Sequence, residues 1–306
     1  MIMRTLLIIF LLIFGTVHAQ EVLVEGHVLD EKTKTPVPYA NVSFLKTLKG
    51  TSSDEDGYFY IDVPESYLER EVHISALGFK DTIIPAKIIS QKKKIHLKEE
   101  TFELEEVVVS QSLGDSQVLN PVSSYSIKSG FSSAETPWVL ALYFPNIGAS
   151  KKFIEKITIH VQQNSKFKRA SSKFRLRVYD VDKKTQKPNH DLIRKSIILE
   201  SSKTEDFVSI DLSSMNIKMP DEGIYIGLEW LFLPYNWYTN TYKHAITNKK
   251  VVEDRFAPTF AAVYQKNQNF KTMVYGMGEW SDFAIKAPGN NENLIPAVSL
   301  KLSKKR

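Results

Sequence analysis

The chain has 306 residues, with 40 basic and 35 acidic side chains for a formal charge of +5, and no cysteine. Disulfide staples and a cysteine-borne lipid anchor are therefore excluded, and stability must come from packed apolar cores. The length gives room for about two domains. The basic clusters at residues 92–94, 166–169, 249–250 and 304–306 are short and scattered. They lack the concentrated stripe of a nucleic-acid binder, although the mild cationic excess permits weak attraction to anionic polysaccharide or lipid.

Residues 1–19 carry one cation, Arg4, an apolar run from Leu6 to Phe14 and the small-residue ending Val17-His18-Ala19. This is the pattern of a secretory signal cut after Ala19. An apolar run of about nine residues is far short of the roughly 20 that span a bilayer. The mature chain is thus expected to be exported, without a transmembrane span, to the periplasm, the outer membrane or the exterior.

From Val22 onward the residues alternate with period two. Val22, Val24 and Val28 are interleaved with Glu25 and His27; Ala40, Val42 and Phe44 with Asn41 and Ser43; Phe59, Ile61 and Val63 with Tyr58, Tyr60 and Asp62. Further short runs follow near residues 72–76, 82–84 and 95–97, punctuated by Pro36, Pro38, Gly57, Pro64, Gly78 and Pro85. Short two-faced strands separated by turn residues predict a small β-sandwich over 20–99.

Four pieces of this segment, Val24-Glu25-Gly26-His27-Val28-Leu29-Asp30, Thr35-Pro36-Val37-Pro38-Tyr39-Ala40-Asn41-Val42, Gly50-Thr51 to Phe59 and Ile74 to Phe79, resemble the carboxypeptidase regulatory-like domain in order and spacing. The resemblance implies a transthyretin-like sandwich of roughly seven strands. It also implies an interaction module without catalytic residues of its own, common in secreted and outer-membrane proteins of the Bacteroidetes type.

The stretch Gly50-Thr51-Ser52-Ser53-Asp54-Glu55-Asp56-Gly57-Tyr58 is either half a cation loop or a tight corner. An EF-hand-like loop starting at Ser52 lacks a carboxylate there and has Val63 where a bidentate Glu belongs. A corner needs only Asp side chains for backbone amides and a glycine free to take positive φ, so a turn is expected and no metal. His96-x-x-Glu99 has the spacing of a zinc pair, but on a strand these two side chains face opposite ways, and it is read as coincidence.

Residues 101–110, Thr-Phe-Glu-Leu-Glu-Glu-Val-Val-Val-Ser, are very similar to the segment that follows this domain in TonB-dependent receptors. The remaining 195 or so residues are too few for a 22-stranded barrel. Residues 100–124 are read as a linker or terminal strand, with Leu104 to Ser110 as a strand that could dock on a partner's sheet edge.

Over 125–303, the runs 138–144, 153–161, 174–180, 207–212 and 223–230 read as strands, the third with its cations outward, and 272–275 with 295–302 read as a closing pair. About eight strands predict a larger jelly-roll-like sandwich, loosely similar to galactose-binding-like modules. Residues 233–240 read as a loop, on which Trp237, Tyr238, Asn240 and Tyr242 would form a saccharide-stacking platform.

The whole is expected to be all-β, an exported, non-catalytic binding or scaffold protein of the cell envelope without cofactor, recognising a protein partner or a glycan. A surface-assembly protein is the third possibility, and the rival from another class is a hydrolase with a shallow site using Asp180, Asp182, His190 and Asp191. Convergence of those four groups in one cleft would favour the rival.

Overall fold

The computed structural model describes residues 20–100, 112–133, 138–147, 152–193, 195–244, 246–276, 278–287, 289 and 291–305. The predicted signal at 1–19 and the predicted docking strand at 104–110 lie outside these. Among the described residues no helix is long and apolar enough to cross a membrane.

The first unit has seven strands: β1 Glu21–Asp30, β2 Asn41–Phe44, β3 Gly50–Ser52, β4 Tyr58–Pro64, β5 Glu71–Ser75, β6 Thr82–Pro85 and β7 Lys94–Leu97. They form two sheets, ordered β4-β1-β7 and β3-β2-β5-β6. The inward residues of one sheet, Val24, Val28, Phe59, Val63, Ile95 and Leu97, pack on Val42, Phe44, Val72 and Ile74 of the other. Period-two alternation buries one face of each strand and leaves the other polar, as the sequence pattern requires.

One element was not legible. Ala86–Lys92 forms a short helix, α1, which follows Pro85 (φ −58°) and ends at Lys93 in the left-handed conformation. Proline suits a helix start because the first N–H groups have no intrahelical acceptor. Ala86 and Ile89 drop into the core, so two apolar anchors one turn apart hold the helix.

The Gly50–Asp62 stretch is a corner. Asp54 Oδ1 accepts from the backbone N–H of Asp56 at 3.0 Å and of Tyr58 at 2.9 Å, while Asp54 N–H donates to the Tyr58 carbonyl at 2.8 Å. Gly57 sits at φ +72°, where a Cβ would meet the Val28 carbonyl oxygen at 2.6 Å. Gly57→Ala is expected to cost about 1–3 kcal/mol through strain and that collision. A urea denaturation midpoint equal to that of the parent chain would refute this account of the corner.

The second unit opens with β8 Ser112–Leu119, β9 Ile127–Phe131, β10 Val139–Phe144, β11 Phe153–Gln162, β12 Ser171–Val181, β13 Pro188–Asp191, β14 Ile197–Ser202 and β15 Phe207–Asp211. It continues with β16 Ile224–Trp230, β17 Trp237–Lys243, β18 Lys250–Phe256, β19 Thr259–Gln265, β20 Thr272–Gly276, β21 Glu279–Asp282, β22 Ile285–Lys286, β23 Asn293–Pro296 and β24 Val298–Lys305. One sheet runs β13-β12-β16-β10-β20-β21 with β14 beside β12; the other runs β22-β23-β19-β11-β24-β8 with β15 beside β11 and β9 beside β19. Phe144, Phe174, Leu176, Leu228 and Trp230 from the first meet Ile157, Ile159, Phe260, Val298 and Leu300 from the second in one core. The fold class is all-β, as expected.

Three details differ from the sequence reading. Among the described residues the second unit has seventeen strands where about eight were expected, because pieces such as β13, β21 and β22 are too short and exposed to show periodicity. β8 lies within the stretch read as linker or terminal strand, yet it pairs with β24 (Leu119 opposite Leu300) and so is part of the second unit's sheet. Residues 272–275 and 295–302, read as a closing pair, fall in different sheets.

The cations of β12 mark the join between the units. Arg175 and Arg177 do point away from the sandwich core, but the first unit covers Arg175, leaving it 1% exposed. Arg175 stands opposite Glu229 of β16. Arg175 Nη1 donates to Glu229 Oε1 at 2.8 Å and its Nη2 to the Tyr39 carbonyl at 2.5 Å, while Asn41 Nδ2 donates to Glu229 Oε1 at 2.6 Å. Arg177 bridges Glu229 Oε2 at 3.0 Å and Asp191 Oδ2 at 2.5 Å. Around this network, Ser52 Oγ accepts from Phe232 N–H at 3.0 Å, Lys173 Nζ reaches Glu55 at 2.6 Å, and Tyr39 packs on Leu231 and Leu233. Each buried charge has a partner, the condition under which an ionic cluster is tolerated in an interior.

Candidate functional site

The seam between the units leaves a cleft of about 400 Å³. On the first unit, β4 alternation sends Phe59 inward and Tyr58, Tyr60 and Asp62 outward, and the preceding corner places Asp54 beside them. On the second, Phe232 and Phe256 stack at 4.2 Å and 12°, with Trp237 and Asp254 completing the wall. Phe232 is fixed by the Ser52 hydrogen bond, so the apolar wall is attached to the opposite unit.

Trp237 and Tyr60 are each 46% exposed, so both rings are accessible from the cleft. The Tyr58 hydroxyl donates to Glu25 Oε2 at 2.6 Å, and Glu25 also receives Lys93 Nζ at 2.5 Å. These contacts orient the Tyr58 ring, which lies 6.1 Å from that of Tyr60. The Lys93 and Tyr58 hydrogen bonds hold the Glu25 carboxyl below its ordinary pKa, and the Glu25 bond in turn raises that of Tyr58. The cleft is thus lined by five rings, Tyr58, Tyr60, Phe232, Trp237 and Phe256, besides the inward-turned Phe59, and by three carboxylates, Asp54, Asp62 and Asp254, on two walls joined by the seam.

The predicted platform is divided. Residues 237–240, read as loop, begin β17, which pairs with β18 in a two-stranded ribbon (Trp237 opposite Phe256, Asn240 opposite Glu253). A strand sends neighbours to opposite faces, so Trp237 and Tyr238 cannot share a surface. Tyr238 is 5% exposed; its hydroxyl accepts from Asn164 Nδ2 at 2.8 Å, its ring meets Phe167 edge-on, and burial raises its pKa. Asn240 Nδ2 reaches Glu253 at 3.4 Å, and Tyr242 stands exposed further along the ribbon. Of the four, Trp237 lines the cleft. Tyr58 and Tyr60 were visible in the sequence as the outward residues of an alternating strand; Asp254 carried no local signal, since only the ribbon register brings it there.

A second cleft of about 390 Å³ lies between residues 75–81 and the neighbourhood of Arg177, Asn189, His190 and Asp191. It gathers two of the four groups named for a hydrolase and leaves them engaged. Asp191 pairs with Arg177 and accepts from Ile193 N–H at 2.9 Å, and burial raises its pKa despite Arg177. His190 N–H donates to Asp180 Oδ1 at 2.7 Å, while Asp182 accepts from the N–H groups of Lys184 and Thr185 in its own turn. Asp182 and Asp191 point into different hydrogen-bond sets, so the four do not converge.

The architecture is thus an all-β pair of sandwiches joined by a buried ionic seam. Residues 24–109 match the CarboxypepD_reg-like domain family, so the first unit is a carboxypeptidase regulatory-like domain. The chain is 35% identical over 109 residues to the TonB-dependent receptor P3 of Formosa agariphila, a match covering 35% of this chain and 10% of the receptor. The chain spans about a tenth of the length of that curated relative. Among solved structures it is similar to the clostridial cysteine protease Cwp84 after propeptide cleavage, with a TM-score of 0.38 and 9% identity, covering 94% of this chain and 72% of that one.

Proposed function

We propose that this is an exported, non-catalytic recognition protein of the bacterial cell envelope that takes a saccharide in the cleft between its two units. The carrying observation is the pair of half-exposed rings, Trp237 and Tyr60, set on facing walls that the buried seam holds in place. Flat rings stack on sugar faces, and carboxylates at their edges accept from hydroxyls. A preformed site loses little ordering entropy on binding. Two observations support an envelope location: the signal-like pattern of residues 1–19 and the likeness of the first unit to part of a TonB-dependent receptor. The engagement of Asp182 in its own turn, of Asp191 with Arg177 and of the His190 imidazole with Asn189 supports a non-catalytic role.

Removing one stacking ring is worth about 1–1.5 kcal/mol beyond burial, or roughly tenfold in affinity. Trp237→Ala is expected to weaken glycan binding by about that factor, read by calorimetry on hits from a glycan array, while Tyr242→Ala leaves it unchanged. If no glycan on the array binds, or if Tyr242→Ala weakens binding and Trp237→Ala does not, this assignment of the cleft is wrong.

A further inference from the structure

The described residues lining the cleft include Asp54, Asp62 and Asp254 and no Lys, Arg or His. This is unusual for a chain with more cations than acids. Cationic groups around the cleft are engaged: Lys173 with Glu55, Lys93 with Glu25 and Arg255 with Glu253, while Arg169 lies over the Tyr235 ring and donates to the Pro234 carbonyl at 3.4 Å. The rings add to the same field, because an aromatic face is the negative end of its quadrupole and attracts a cation above it. We infer that the cleft selects its saccharide by charge: it takes an amino sugar carrying a free ammonium in preference to a neutral sugar, and it rejects uronates and other anionic sugars. This rests on the saccharide reading of the cleft. It also reverses what net charge alone implies, since an overall positive chain is expected to favour anionic polysaccharide.

The selection is a difference of affinities. A carboxylate on the ligand would approach the exposed carboxylates of Asp62 and Asp254, with Asp54, whose Oδ1 is taken by its own corner, adding to the same field; an ammonium gains acceptors and ring faces there. Each exposed pair contributes modestly and is screened by salt, so the expected preference is about tenfold at low ionic strength and shrinks as salt is added.

The test is calorimetry on the intact mature chain with three ligands: a glucosamine tetramer at mildly acidic pH, its N-acetylated counterpart, and a galacturonate tetramer. The first two share a backbone and differ in charge. The expected order is glucosamine tightest, the acetylated form about tenfold weaker and galacturonate without measurable binding. Asp62→Asn with Asp254→Asn should abolish the roughly tenfold preference for the first ligand over the second, whatever the common loss from hydroxyl contacts. Both are exposed side chains outside the core, so the variant is expected to fold.

Equal binding of all three ligands, or tight galacturonate binding lost in Trp237→Ala, would overturn charge selection and leave the saccharide reading standing. Failure of all three, together with a blank glycan array, would overturn the saccharide reading itself. Trp237-dependent capture of a lysine-rich peptide in place of the glucosamine tetramer would overturn both and make the cleft a peptide site.

Discussion

Replacing Glu229 by alanine is expected to lower the stability of the folded chain by about 3–5 kcal/mol, because it strips the shared acceptor from Arg175 and leaves a guanidinium uncompensated in the seam. Glu229 is fully buried, and both its oxygens are used, one by Arg175 and Asn41 and the other by Arg177. The readout is urea denaturation followed by tryptophan fluorescence. A midpoint within error of the parent's would show that the seam contributes nothing. The double change Arg175→Met with Glu229→Met should recover part of the loss, since breaking a buried pair is costlier than replacing both members with apolar groups. If the double variant is as unstable as the single one, packing rather than charge explains the effect.

The pH dependence of this seam has a definite sign. Burial alone would raise the Glu229 pKa, but Arg175 and then Arg177 overcome it and hold the carboxyl below its ordinary range. A depressed folded-state pKa contributes stability that is present above the unfolded value and lost as pH falls through the folded one. Asp191 acts in the opposite sense: its raised pKa means that it protonates before an unfolded aspartate would. On acidification the Arg177–Asp191 arm is therefore released first, and the Arg175–Glu229 arm is the last to fail.

The second large effect is expected at Trp230. Its indole is fully buried, stacks on Trp138 at 5.2 Å and 18°, lies 4.6 Å from Phe260, and donates its N–H to the Pro258 carbonyl at 2.8 Å. Trp230→Ala should cost about 3–5 kcal/mol, the range for emptying an aromatic site in a core. Trp230→Phe keeps much of the apolar volume and loses the donor, so about 1–3 kcal/mol is expected from the stranded carbonyl and the smaller ring. Calorimetric unfolding of the three proteins checks the ranking. Equal melting temperatures for parent and alanine variant would mean that Trp230 is not central to the core.

What the sequence disclosed follows from the range of the forces involved. Alternation in β1, β4 and β12 is local and reports which face meets a core, so the all-β class and six of the first unit's strands were legible, the count of about seven coming from the family resemblance and the three-residue β3 leaving no periodic trace. The Asp54–Gly57 corner was legible too, because a side chain bonding amides two and four residues on is a local device. The seam was not. Arg175 reads as an outward cation on its strand, and nothing near it or Glu229 records that Tyr39 and Asn41, more than a hundred residues earlier, will cover them. The same limit split the predicted platform. Composition identified Trp237 as a ring to watch, but its membership of a paired strand, and hence the inward turn of Tyr238, depends on pairing with residues 250–256.

The position of β24 bears on how the second sandwich assembles. Although it comes last, it is not at a sheet margin: it lies between β11 and β8, pairing with Phe153 to Ile159 on one side and with β8 on the other. Until β24 is in place, β8 has no partner strand among the described residues and β11 keeps one edge open. Such non-local closure is slow in any case. The strand is a keystone: it ties a segment near residue 115 to one near residue 155, and neither can close on the other without it.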